Sequence, residues 1–120
     1  MNRREAKTVP VHELPTVLVV GCTREFVDRC RESAAKTGAI VRAADLTGAE
    51  TMASTCHPLA LVLTVQHYQA NRVRFDELAS SAESTLVQVP DEAIPQDELE
   101  AMVVTAVTEA RRVRSSRPPR

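Results

Sequence analysis

The stretch TVLVVGCTREF, Thr16 to Phe26, decides the fold class. Five β-branched or leucine residues run without a polar break from Thr16 to Val20 beyond the first threonine hydroxyl. A half-exposed strand would alternate polar and apolar positions. This run instead reads as a strand buried on both faces, as in a parallel sheet. It stops at Gly21 and Cys22, and Thr23 is placed to N-cap a helix at once. Phe26, Val27, Cys30 and Ala34 then share one helical face, and Gly38 is a natural stop.

The same alternation continues outward from that unit. Ala39 to Asp45 reads as a second strand, followed by a capping box from Thr47 to Glu50. The short helix it opens carries Met52, Ala53 and Cys56 and ends at Pro58. Leu59 to Val65 reads as a third strand, and a polar link leads to a helix outlined by Phe75, Leu78, Ala79 and Ala82. Thr85 to Val89 reads as a fourth strand. The last helix is expected from Gln96 to Val113, with Leu99, Met102, Val103, Ala106, Val107 and Ala110 on one face. Strands and helices in alternation imply right-handed crossovers onto a parallel sheet. The expected fold is a small doubly wound α/β sheet of about four strands with helices on both faces. Residues 1–14 read as a flexible leader, 15–113 as the domain and 114–120 as a flexible basic tail. Ligands of such sheets lie beyond the carboxyl ends of the strands. Here those ends are Gly21 to Thr23, Asp45 and Leu46, Thr64 to Tyr68, and Pro90 and Asp91.

Composition narrows the function classes. The 120 residues carry a formal net charge of -1 and are 43% hydrophobic, which suits one soluble domain. No apolar run is long enough to span a bilayer, and the first fifteen residues lack a signal-peptide core. Three cysteines without a C-x-x-C pair suggest reduced thiols in a cytoplasm. Two Phe, one Tyr and no Trp leave no stacking platforms for single-stranded nucleic acid.

With the elements placed, the chain resembles a receiver domain of the two-component response-regulator family. LPTVLVVGCTREFVDRCRESAAKTGAIVRAAD resembles that family's first strand, first helix and second strand. HPLALVLTV resembles the strand that ends in the phosphoacceptor aspartate, and LVQVPDEAIPQDELEAMVVTAV the closing strand, Lys-Pro junction and last helix. The likeness spans roughly residues 14–112. It implies a flavodoxin-like domain, and it also implies that the family's chemistry is gone. The acidic pair that holds magnesium falls on Gly21 and Cys22, the phosphoacceptor on Thr64, or on Val65 if the register slips by one, and the lysine on Val89. The stretch from Thr64 to Pro90 is one βα unit too short. Mg²⁺ needs hard oxygen ligands, and phosphoryl transfer needs charge neutralisation and positioning. The resemblance therefore implies a degenerate receiver with no cofactor, not switched by aspartyl phosphorylation.

Sharper chemistry at the same turn is weighed against this. Cys22 opens a helix, where a thiolate gains from the helix N-terminus, as in a small cysteine-dependent enzyme or phosphocarrier. A phosphatase-type loop would need an arginine six residues on, but that position holds Asp28, with Arg29 one too late. Gly21 stands alone rather than in G-x-G-x-x-G, which speaks against a dinucleotide, and Asp45 as a ribose partner does not change that. Cys22, Cys30, Cys56 and His57 lack standard metal-ligand spacing, and neither His12 nor His67 has an evident partner. Arg111, Arg112, Arg114, Arg117 and Arg120 form the clearest charge feature. They suit an acidic protein face, or a salt-sensitive contact with nucleic acid or an anionic membrane. The expected function is a non-catalytic protein-interaction module, a pseudo-receiver in bacterial signalling or cell organisation. Its partner is a protein of unstated identity, with a homodimer as a second expectation, because a shortened sheet leaves an edge uncovered.

Overall fold

The computed structural model describes residues 15–115. The expected leader, residues 1–14, lies outside the described residues, as do Arg117 and Arg120. The elements are β1 (Thr16–Val20), α1 (Arg24–Ala35), β2 (Ile40–Ala44), α2 (Ala49–Cys56), β3 (Ala60–Thr64), α3 (Val65–Ala70), α4 (Arg72–Ala82), β4 (Thr85–Val89) and α5 (Gln96–Ser115). All three strand pairings are parallel, in the order β2-β1-β3-β4. The fold is a four-stranded, doubly wound α/β sheet of the flavodoxin-like kind.

Burial follows from that order. β1 lies inside the sheet and is buried along its whole length, as its unbroken apolar run requires. Two cores form, one on each face. Val17, Val19, Val62, Val87 and Val89 meet Phe26 and Cys30 of α1 and Leu99, Val103 and Val107 of α5. Leu18, Val20, Leu61 and Leu63 meet Ala49 and Ala53 of α2 and Phe75, Leu78 and Ala82 of α4. Successive residues of β1 and β3 therefore go to opposite cores, the period-two geometry of a strand.

Three local expectations are corrected. The Thr47–Glu50 capping box does not form, and Gly48 is the N-cap of α2 without a side-chain bond. Asp45 instead accepts from Thr47 Oγ1 at 2.9 Å and from the Gly48 amide at 2.7 Å, while Glu50 pairs with Arg74 at 3.4 Å. An aspartate next to a turn competes for nearby donors, and here Asp45 takes the Thr47 hydroxyl that the box would have used. The polar link after β3 is not a link. α3 begins at Val65 directly after Thr64, and α4 follows one residue later, so two helices and no strand fill the interval before β4. Finally, α5 runs to Ser115, so Arg114 belongs to the helix and not to a tail.

Helices α2 and α4 end in left-handed residues that are not glycine, His57 at φ 45° and Glu83 at φ 58°. A side chain in that region costs about 1 kcal/mol or more, and glycine is the usual solution. His57→Gly is expected to raise stability by about 0.5–1 kcal/mol, read as an upward shift of the urea midpoint.

Candidate functional site

Helices that return across a parallel sheet bring their N-termini to the carboxyl ends of the strands. The strand order reverses between β1 and β3, so the crevice there is where a ligand would sit in this architecture. Gly21 turns the chain out of β1 with φ +70°, a region that favours glycine. Its amide donates to Ala44 O at 2.8 Å.

The crevice is bridged from within. Thr64, at the end of β3, N-caps α3 by accepting from the His67 amide at 3.3 Å. That turn carries the His67 ring across to β1, where Nε2 lies 3.0 Å from Gly21 O. A carbonyl only accepts, so Nε2 is the donor in this contact. The ring is close enough that a Cβ at Gly21 would stand 3.1 Å from it. Glycine at position 21 is thus required twice, by the backbone angle and by the imidazole.

The N-terminus of α1 is filled as well. Glu92, on the loop after β4, accepts from the Thr23 amide at 3.2 Å and from Thr23 Oγ1 at 2.5 Å. The same hydroxyl accepts from the Phe26 amide at 3.3 Å, which makes it the N-cap of α1. A helix N-terminus attracts an anion, and here the chain supplies its own. Arg29 holds that loop in place. It donates to Glu92 O at 2.7 Å, to Ile94 O, and through Nε to Gln96 Oε1 at 2.8 Å. Gln96 in turn donates to Arg29 O at 3.1 Å and to Ser33 Oγ at 3.0 Å. The arginine one place too late for a phosphate loop is the clamp that joins α1 to the start of α5.

Cys22 faces this neighbourhood as a half-buried thiol whose Sγ donates to Val20 O at 3.5 Å. Burial, then the Glu92 charge, then a hydrogen bond to Glu92 push its pKa up to about 12. The helix N-terminus would lower it, but Glu92 has already occupied that field. Cys30 is buried and is likewise pushed up to about 12, chiefly by burial. Both are packed thiols. Cys56 is buried on α2, where its Sγ donates to Met52 O at 2.9 Å.

The four positions that the receiver resemblance singles out do converge at this end of the sheet. Gly21 and Cys22 leave β1, Thr64 ends β3, and Val89 ends β4 with its side chain fully buried. None offers a carboxylate or an ammonium group, and the one hydroxyl serves as a helix cap. Among the described residues no group of three or more His, Cys, Asp or Glu side chains could hold a metal ion. Asp45 is bound to Thr47 and Gly48, and the Gly48 amide holds its carboxyl below the usual range. Sequence reading missed His67 and Glu92. The only available signal was position: His67 falls in the first turn after β3 and Glu92 in the first turn after β4, both aimed at β1.

The C-terminal arginines lie at the opposite end, where the helix C-termini collect. Arg111 donates to Thr37 O, just past α1, at 2.7 Å. Arg114 reaches the ends of two helices: Nη1 donates to His57 O at 3.2 Å, and Nη2 faces the carbonyls of Pro58, Ala82 and Glu83 at 3.0–3.1 Å. Arg112 pairs with Glu109 one turn back at 2.5 Å. These three arginines are engaged by their own chain.

No protein-family model, no curated protein and no solved structure matches the chain.

Iodoacetamide at pH 8 should modify Cys22 about a thousandfold more slowly than a free thiol, given the smaller thiolate fraction. Glu92→Gln, which removes the Glu92 charge from the causes of the raised pKa, should speed that reaction severalfold. Arg114→Ala should cost about 2 kcal/mol, seen as a fall in Tm of about 10 °C. Arg114→Lys should recover less than half of it, because an ammonium group cannot reach both helix ends.

Proposed function

We propose that this chain is a non-catalytic protein-interaction module. It is built on the receiver pattern of response regulators, has lost that pattern's phosphorylation chemistry, and works in bacterial signalling or cell organisation. The observation that carries the reading is the His67 ring lying across the switch-point crevice onto Gly21. In a doubly wound sheet that crevice is the natural seat of substrate or phosphoryl chemistry. Here its space goes to an internal hydrogen bond, and the adjoining helix N-terminus goes to Glu92. A domain that keeps the scaffold and fills the crevice retains its outer faces as the surface it presents.

The donor set supports the same reading. Gly21, Cys22, Thr64 and Val89 supply no hard anionic oxygen for Mg²⁺ and no acceptor carboxylate. The raised Cys22 pKa speaks against the cysteine enzyme and the phosphocarrier. Binding to nucleic acid or anionic lipid through the arginines loses much of its basis, since Arg111, Arg112 and Arg114 hold internal acceptors. No helix is long and apolar enough to cross a membrane, and a cytoplasmic location belongs to this proposal.

The test has two arms. Acyl phosphate with Mg²⁺ should leave the intact mass and the amide spectrum unchanged, and a phosphoryl adduct on any residue would overturn the reading. In the second arm, nuclease-treated lysate of the source cell is passed over wild type and over the Arg117→Ala, Arg120→Ala double variant at high salt. Both should retain the same protein. This variant is preferred to truncation after Ala110, which would also remove the structural contacts of Arg111 and Arg114. Capture that vanishes with the two arginines or with salt would move the function to the charged C-terminal segment.

A further inference from the structure

We infer that a second copy of this chain docks on the outer edge of β4, pairing antiparallel across a two-fold axis through Val87 to join two sheets into one of eight strands. The inference rests on the reading of the domain as an interaction module and names one partner for it.

The backbone of β4 fixes the register. The Thr85 amide donates to Leu59 O at 2.9 Å, and Thr85, Val87 and Val89 stand opposite Ala60, Val62 and Thr64. In a parallel ladder alternate residues bond to the same neighbour, so Thr85, Val87 and Val89 face β3. Leu86 and Gln88 direct both backbone groups to the outer edge. An antiparallel copy centred on Val87 sets Leu86 against the partner's Gln88 and Gln88 against the partner's Leu86. Each of those pairs exchanges two N–H···O bonds, so every outward group of the five-residue strand is used. A parallel copy could not be related by a two-fold axis, and a one-residue slip would set each outward residue against an inward-facing one and strand all four groups.

The surroundings of the edge agree. The strand Thr85–Val89 carries no charge, no proline and no bulge, the usual devices that keep sheet edges apart. Beside it runs a shallow cavity of about 460 Å³, floored by Thr85 and Val87 and walled by Ala101, Met102, Thr105 and Ala106 of α5. Three acids flank this stripe, Asp97, Glu100 and Glu109, and two of them are neutralised by their own chain. Glu100 pairs with Lys36 at 2.8 Å and Glu109 with Arg112 at 2.5 Å. Asp97 adds a negative charge at the rim, so the uncharged part of the contact is its centre, from Leu86 to Gln88 with Ala101, Met102 and Thr105. A stable interface buries about 800 Å² per partner, more than one short strand provides. The α5 stripe must therefore join the contact, with half-buried Met102 filling the partner's groove.

The test is sedimentation of the full chain over a wide micromolar range, alongside hydrogen exchange. Dimer mass is expected at the upper end, with the Leu86 and Gln88 amides protected there and losing protection on dilution. Gln88→Pro removes an outward N–H and leaves the β3 ladder intact, so it should give a monomer at every concentration, with the thermal midpoint of wild type at the dilution where wild type is monomeric. Thr105→Arg, on an exposed position of α5, should do the same and guards against misfolding of the first variant. A monomer at every concentration would overturn the proposal. So would a dimer indifferent to both variants. Protection of Leu86 and Gln88 that ignores concentration but disappears when residues 1–14 are deleted would assign the edge to the chain's own leader instead.

Discussion

Helix polarity is the constraint on which the rest of this structure depends. In a parallel sheet with crossover helices, each helix runs against the strands it joins. Positive helix ends gather beside the strand carboxyl ends, and negative ends gather at the other rim. Most proteins of this architecture leave the positive rim open for a ligand. This chain closes both rims from its own sequence. Glu92, Thr23, Asp45 and Thr64 answer the amides at one rim, and Arg111 and Arg114 answer the carbonyls at the other. The two rims explain why charged residues that look free in sequence are committed in three dimensions.

The core was legible because it rests on local periodicity. The unbroken run from Thr16 to Val20, the face Phe26-Val27-Cys30-Ala34 and the stripe from Leu99 to Ala110, with Met102 half-buried, are buried where their spacing places them. The Thr23 cap also forms as its position suggests. What failed was local too, but ambiguous. Asp45 and Thr47 are both suited to the start of α2, and sequence alone does not weigh one short-range bond against another; Asp45 takes both the Thr47 hydroxyl and the Gly48 amide. The segment after β3 looked like a link because Gln66, His67, Gln69 and Asn71 are polar, yet α3 shows no buried residue and needs no apolar face.

The candidate site was half legible. The turn at Gly21, Cys22 and Thr23 is found by the strand-to-helix junction alone. Its closure depends on His67 and Glu92, which reach it across 46 and 69 residues. No spacing rule connects a histidine to a distant glycine carbonyl. The arginines illustrate the converse. Their clustering was plain in sequence, and their role depended on acceptors spread from Thr37 to Glu83.

The twenty residues of α5 reach from one rim of the sheet to the other, about 30 Å end to end. Gln96 at its start fastens α1, and Arg114 at its end fastens α2 and α4. It is also the last of the described elements to emerge during synthesis. Until it does, one face of the sheet has only α1 as cover and three helix ends lack their counter-charge. A nascent chain halted before this helix would hold all four strands and still have no stable product. Completion of the fold is thereby tied to completion of the translated message through α5, and a prematurely terminated chain would be left open to proteolysis.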